Sequence, residues 1–244
     1  MLVISVGMQK SGSAYYYRLI NDLLVHNGCK DATEIKKEYK LQEIMKWQNN
    51  NIDPMTQAKV QRLWTVTQHA GAFVVKTHDG PFDILEMYLE TGRVKVSYIY
   101  RDPRDVIVST IDHGKKILAA GENHTFATMA DIESALQATK MWLNTWNAYN
   151  EMDHVFMVKY EDLLSNPVET LNITADYLNL SIEPEAAKQV IEKYKPEKLD
   201  ENQRGFLHYN KAISGRYKTE MTSDEIEMLN SELGDVLQEM NYAI

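Results

Sequence analysis

Val3-Ile4-Ser5-Val6-Gly7-Met8-Gln9-Lys10-Ser11-Gly12-Ser13-Ala14-Tyr15 is the stretch whose reading decides the fold. Val3, Ile4 and Val6 form a short β-branched run that predicts a buried strand, and Gly7 and Gly12 bracket a turn. Tyr16, Leu19, Ile20, Leu23 and Leu24 then recur at helical spacing. A strand that enters a helix through a Gly/Ser turn gathers backbone N–H groups and hydroxyls at the positive end of a helix dipole, an arrangement that binds phosphate. Gly7 to Gly12 matches the first half of the phosphate loop G-x-x-x-x-G-K-[ST]. The second half fails: Ser13-Ala14 stands where the lysine and the Mg²⁺-holding hydroxyl should be, and Lys10 lies inside the turn. NTP hydrolysis is therefore not expected, and a metal-independent phosphate compound fits better.

Composition narrows the choice. The chain has 244 residues, 44% hydrophobic and 25% charged, as in a soluble globular protein of one α/β domain. Its formal net charge of −9 argues against a nucleic-acid surface, though a local basic pocket can still take an anion. Cys29 is the only cysteine, so no intrachain disulfide can form and a reducing, cytoplasmic setting is expected. No charged leader with an apolar core and no apolar run of about 18 residues occurs, so no membrane association is expected. No Cys/His cluster offers a metal site, and none is expected.

Outward from the first turn, no repeat or linker divides the chain, and residues 1–244 read as a single domain. Residues from about 28 to 71 read as an insertion of short helices. Ala72 to Val75 predicts a second strand ending in Lys76-Thr77-His78, and Pro81 opens a helix to about Glu90. Val94 to Tyr100 predicts a third strand, with Asp102 as N-cap and Pro103 at the first position of the next helix. Residues 112–130 read as a loop, followed by a helix from Asp131 to about Glu151 that buries Leu136, Met141, Trp142 and Trp146. Val155 to Val158 predicts a fourth strand, and Asn166-Pro167-Val168-Glu169 starts a helix. Residues 196–221 lack periodicity but carry Arg204, Lys211, Arg216 and Lys218, and about 200–219 are expected to form a cofactor flap. Thr222-x-x-Glu225 is a capping box for a last helix burying Ile226, Leu229, Leu233, Val236, Leu237 and Met240. Strands alternating with helices predict an α/β fold: three layers, a mostly parallel central sheet with helices on both faces, and chemistry at the strands' C-terminal ends.

Five segments, the last of them Asn210-Lys211-Ala212-Ile213-Ser214-Gly215-Arg216-Tyr217-Lys218, together resemble the PAPS-dependent sulfotransferases of the cytosolic type, from Val3 to about Met221 and in that family's order. Gln9-Lys10-Ser11-Gly12-Ser13-Ala14-Tyr15 resembles its 5′-phosphosulfate loop, Pro-Lys-Ser-Gly-Thr-Thr-Trp. The resemblance implies a P-loop-like fold, cofactor contacts from Lys10, Ser11, Gly12, Ser13 and Ala14, and stacking of Tyr15 on adenine. Lys76-Thr77-His78 resembles the family's Lys-Thr-His, which implies His78 as general base and Lys76 as stabiliser of the transferring sulfuryl group. Tyr100-Arg101-Asp102-Pro103-Arg104-Asp105 with Ser109 implies that Arg101 and Ser109 hold the 3′-phosphate of the cofactor; an Arg101–Asp105 salt bridge is the alternative use of that arginine. Tyr160-Glu161-Asp162-Leu163 implies Tyr160 at the adenine, and Lys211 is carried over as a further 3′-phosphate ligand. Asn210, Ala212 and Ala14 depart from the pattern, replacing an arginine, a glycine and a hydroxyl residue.

The resemblance implies transfer of the sulfuryl group of PAPS to a hydroxyl or amine of a small-molecule acceptor, with Lys10 stabilising the leaving PAP. A silent PAPS- or PAP-binding module is the alternative, and a P-loop small-molecule kinase is disfavoured by the missing Lys-[ST]. Tyr39, Trp47, Met55, Trp64, Phe126 and Met129 are candidates to line the acceptor pocket. Glu34, Glu38, Glu43, Asp112 and Glu122 beside them favour a neutral or cationic acceptor.

Overall fold

The computed structural model describes residues 1–201, 207 and 212–244. They gather into two compact units, Met1–Tyr100 with Thr145–Tyr209 and Arg101–Asn144 with Asn210–Ile244.

The first unit holds four parallel strands, β1 (Leu2–Gly7), β2 (Phe73–Thr77), β3 (Val94–Tyr100) and β4 (Val155–Lys159), in the order β2-β1-β3-β4. Every residue of β1 and β2 is buried, which is why both read as continuous apolar runs rather than alternating ones. Val6 pairs with both Thr77 and Tyr98, so the turn after β1 and the residues after β2 leave the sheet side by side. Helix α1 (Ser13–His26) lies on one face, its Tyr16 hydroxyl 2.6 Å from Ser97 Oγ. The next residue along β3, Tyr98, points the other way and packs on Tyr149, ring centroids 5.3 Å apart. Helices therefore cover both faces, as expected.

The insertion contains α2 (Ala32–Glu38) and α3 (Gln57–Ala70). Between them the backbone pairs along the outer edge of β2: Lys76 N donates to Asn50 O (3.2 Å) and Ile52 N to Lys76 O (2.7 Å). An edge strand that would otherwise expose its hydrogen-bonding groups is covered in this way. The helix expected from Pro81 begins instead at Leu85, as α4 (Leu85–Glu90). Tertiary burial decides its start, since Leu85, Tyr88 and Leu89 are its buried side chains. After β4 come α7 (Tyr160–Ser165), α8 (Pro167–Tyr177) and α9 (Pro184–Glu192), of which only α8 is anticipated. Pro167 takes the first position of α8, but the Asn166 side chain makes no cap hydrogen bond.

In the second unit α5 (Pro103–Ala120) starts as expected, with Asp102 accepting from Arg104 N at 2.9 Å. It then runs straight through Asp112, His113 and Gly114, where a loop is expected. Gly114 serves a close approach: a Cβ there would stand 2.6 Å from the carbonyl oxygen of Phe126, in the short 3-10 helix Thr125–Met129. A glycine inside a helix costs ~1 kcal/mol relative to alanine, and a close approach of this kind is what only glycine permits. Helix α6 (Ile132–Asn150) contributes to both units. Met141 on it is 60% exposed, contrary to expectation. It lies five residues beyond buried Leu136, about 140° around the helix and off the buried stripe. The capping box forms as expected, with Thr222 accepting from Glu225 N, and opens the helix Ser223–Glu239. Leu229, Leu233, Leu237 and Met240 are buried there, Ile226 and Val236 only partly.

Candidate active site

The turn after β1 is shaped by two glycines and one strained lysine. A Cβ at Gly7 would stand 2.4 Å from Ser13 Cβ, so the strand end and the helix start touch only because Gly7 lacks one. Lys10 (φ 64°) and Gly12 (φ 77°) both take the left-handed conformation. A Cβ at Gly12 would also stand 2.6 Å from Cε2 of Tyr160, whose ring lies against the turn. Gly12→Ala should therefore cost about 1–3 kcal/mol from its backbone conformation alone, with the ring contact adding to it. An unchanged denaturant midpoint for that variant would show that the turn relaxes freely.

Gly12 is also the N-cap of α1; no side chain caps that terminus and no acidic residue occupies its first turn. The positive end of the helix dipole therefore meets the turn with neither a side-chain cap nor a first-turn carboxylate beside it. Ser11, expected to touch the cofactor, is fully buried, and its hydroxyl donates to Met8 O (2.5 Å) and Ile99 O (3.2 Å). Its hydroxyl shapes the turn from within. Ser13 and Ala14 begin α1 and are buried, Ala14 with no hydroxyl to offer. Tyr15 is half-buried and meets Tyr194 edge-on at 5.9 Å. The Tyr194 hydroxyl is held by Asp22 at 3.1 Å. Tyr194 follows α9 and carries no motif, so nothing local in the sequence marks it.

Lys76 and His78 emerge from β2 next to this turn. His78 Nδ1 lies 2.5 Å from the carbonyl oxygen of Gly7. A carbonyl only accepts, so Nδ1 carries the proton in the neutral ring and the basic lone pair is on Nε2. Lys76 Nζ stands 2.5 Å from that Nε2. The Lys76 side chain is nearly fully buried, and burial pushes its pKa down to about 7. The segment after the histidine is pinned at several points. Asp79 N donates to Thr77 Oγ1 (3.0 Å), Met55 N donates to Asp79 Oδ2 (2.5 Å), and the Tyr149 hydroxyl donates to Asp79 O (3.1 Å). The first unit thus brings Lys10, Gly12, Ser13, Lys76, His78 and Tyr160 to the C-terminal ends of β1, β2 and β4, where ligands bind in open α/β sheets.

Arg101 and Ser109 belong to the second unit, at the start of α5 and eight residues later, each 5% exposed. The Arg101–Asp105 ion pair is formed, Nη2 to Oδ2 at 3.0 Å, and the same Nη2 donates to Ile213 O at 2.7 Å. Arg216, expected among the cations of a flap, is buried and paired with Asp112 (2.5 Å) and Glu220 (2.8 Å). Lys211, Asn210, Arg204 and the rest of residues 202–206 and 208–211 of the expected flap lie outside the described residues. Among the acceptor-pocket candidates Met55 is buried, Trp47 is 65% exposed, and Trp64 lies under the Arg93 guanidinium at 5.0 Å. Phe126 packs with His113 (4.8 Å) and Trp142 (6.1 Å) in the second unit.

The family model for the sulfotransferase domain matches residues 2–241. Sulfotransferase 2A6 of Rattus norvegicus is 22% identical over 164 residues, 60% of this chain and 58% of that protein. Flavonol 3-sulfotransferase of Flaveria bidentis is 27% identical over 174 residues, 60% of this chain and 56% of that protein. The matches thus span less than two thirds of the length of these curated relatives. Among solved structures, a retinol dehydratase in complex with androsterone and inactive cofactor PAP superposes with a TM-score of 0.60 at 15% identity, covering 97% of this chain and 80% of that one. A mouse sulfotransferase complexed with PAP gives 0.57 at 12% identity, covering 97% and 84%. At these identities the likeness shows the fold, the P-loop-like α/β fold of sulfotransferases.

Proposed function

The chain belongs to the sulfotransferase domain family, and from that premise we propose that it transfers the sulfuryl group of PAPS to a hydroxyl or amine of a small-molecule acceptor. The observation that carries the reading is the placing of His78 Nε2 and Lys76 Nζ beside a glycine-shaped turn at the end of β1. The turn fits the nucleotide's 5′ end: two of its residues are left-handed, its helix terminus is uncapped by any side chain, and Lys10 adds a cation. When bound, PAPS would supply an activated sulfuryl group, with PAP as the leaving group.

The chain's own residues then divide the work. Backbone N–H groups from Gly12 to Ala14 hold the 5′-phosphate, and Lys10 offsets charge on the leaving oxygen. His78 takes the acceptor's proton on Nε2, while the Gly7 carbonyl keeps the ring turned so that this atom faces the acceptor. Lys76 occupies Nε2 in the structure and must move toward the sulfuryl oxygens before the base can act. Burial of Lys76 strengthens that electrostatic pull, since little water competes for the ammonium. Tyr160 backs the turn, and Tyr15 with Tyr194 offers an aromatic wall for adenine. Arg101, Ser109 and Lys211 are assigned to the 3′-phosphate.

Two relatives are named for flavonol and retinol, and one solved structure contains androsterone. By analogy the acceptor is a neutral, largely apolar alcohol or phenol. A cytoplasmic setting completes the reading, supported by the lone Cys29. Incubation with labelled PAPS and a panel of alcohols, phenols and amines tests the function, and acceptor-dependent transfer of label is expected. PAP bound without transfer to any acceptor would favour the silent module, for which the substitutions at Asn210 and Ala212 speak. PAP should also raise the melting temperature more than AMP at equal concentration, because a ligand of the native state stabilises it by mass action. Equal shifts would remove the 3′-phosphate site.

A further inference from the structure

We propose that Asp105 is the positioning residue of the 3′-phosphate site, fixing the plane of the Arg101 guanidinium and clasping residues 213–217 onto the start of α5. The inference rests on the assignment of Arg101 to the 3′-phosphate. Asp105 is fully buried, and three donors converge on its carboxylate. Arg101 Nη2 (3.0 Å) and the backbone N–H of Gly215 (2.7 Å) both reach Oδ2, and the backbone N–H of Tyr217 reaches Oδ1 at 3.1 Å. Arg101 Nη2 gives its second hydrogen to Ile213 O at 2.7 Å. Both hydrogens of one guanidinium nitrogen are thereby committed in different directions, which sets the plane of the whole fork. The Ile213 carbonyl and the Gly215 and Tyr217 amides make the same clasp from the other side. Gly215 turns through φ 76°, a conformation that lets its N–H point back to the carboxylate two residues after Ile213.

A carboxylate beside a phosphate site has two opposed effects. Its charge repels the incoming anion, and its hydrogen bonds orient the arginine that binds it. Here Asp105 shares its charge with one cation and two amide dipoles, so repulsion is largely offset and orientation dominates. The sign of a single substitution separates the two. Asp105→Asn removes the charge, and wherever its NH₂ is placed it confronts a donor, because both oxygens now accept. Were repulsion the larger effect, PAP would bind this variant more tightly.

The test is calorimetric titration with PAP and with AMP, which lacks the 3′-phosphate. Asp105→Asn should weaken PAP by about tenfold or more, the size of one lost charge-assisted hydrogen bond, and leave AMP within about twofold. In an Arg101→Ala background the same substitution should no longer affect PAP, because Asp105 acts through that arginine. If Asp105→Asn does not fold cooperatively, Asp105→Glu, which keeps the charge but displaces it by a methylene, is put to the same comparison. Equal weakening of PAP and AMP, tighter PAP, or an unreduced effect in the Arg101→Ala background would each overturn the positioning role. Equal PAP and AMP affinities in the wild-type protein would instead overturn the 3′-phosphate assignment itself.

Discussion

His78→Ala is expected to lower kcat by about 10²–10⁴ while leaving PAP affinity nearly unchanged, the cost of removing a positioned base. The base would act on the acceptor, so the nucleotide should not register its loss. The structure also supplies a sharper variant. His78→Asn places an amide nitrogen where Nδ1 stands, able to donate to the Gly7 carbonyl that the ring engages at 2.5 Å. It keeps that anchor and removes Nε2. Turnover should fall as far as in the alanine variant, while thermal stability stays closer to wild type. Recovery of activity in His78→Asn would mean that the hydrogen bond to Gly7, rather than the basic lone pair, is what the reaction needs. Near wild-type turnover in both variants, with chemistry rate-limiting, would move the base to another residue.

Much of this site is legible in the chain because its elements are local. Val3 to Gly7 announces a buried strand by β-branching, Gly12 announces a tight turn, and Lys76-Thr77-His78 follows directly from a second apolar run. What stays hidden is whatever depends on partners distant in sequence. Gly114 reads as a helix breaker, yet it is the residue that lets Phe126 O approach α5, and the helix continues past it. Pro81 reads as a helix start, but the apolar face that needs covering begins at Leu85. Ser11 sits in a phosphate-loop motif, and only the fold reveals that its hydroxyl turns inward to Met8 and Ile99. The Gly7 carbonyl, which fixes the histidine tautomer, is a backbone atom that no side-chain pattern can signal. The same holds for Asp105: an Arg101 pairing is legible at four residues' spacing, while its bonds to Gly215 and Tyr217 span more than a hundred residues.

Lys76→Met should reduce kcat by about 10²–10³, in line with deleting one donor to developing charge. It should do so without loss of stability. Methionine follows the lysine stem closely, and burial has already pushed the Lys76 pKa down to about 7, so the folded state disfavours the ammonium there. Between pH 7 and the usual lysine range the unfolded chain binds more protons than the folded one at this position, so stability rises with pH across that window. Below it the full cost of burying the charge is present, and methionine removes that cost. The melting temperature of the variant at pH 7 should therefore equal or exceed that of wild type, even as turnover collapses. The pH profile gives a second readout. Lys76 must be protonated to draw on the sulfuryl oxygens, and His78 must be unprotonated to act as base. Activity should therefore fall on the alkaline side as Lys76, its pKa already lowered to about 7 by burial, loses its proton. In Lys76→Met that alkaline limb should vanish. A variant with wild-type kcat and an unchanged alkaline limb would take Lys76 out of the reaction altogether.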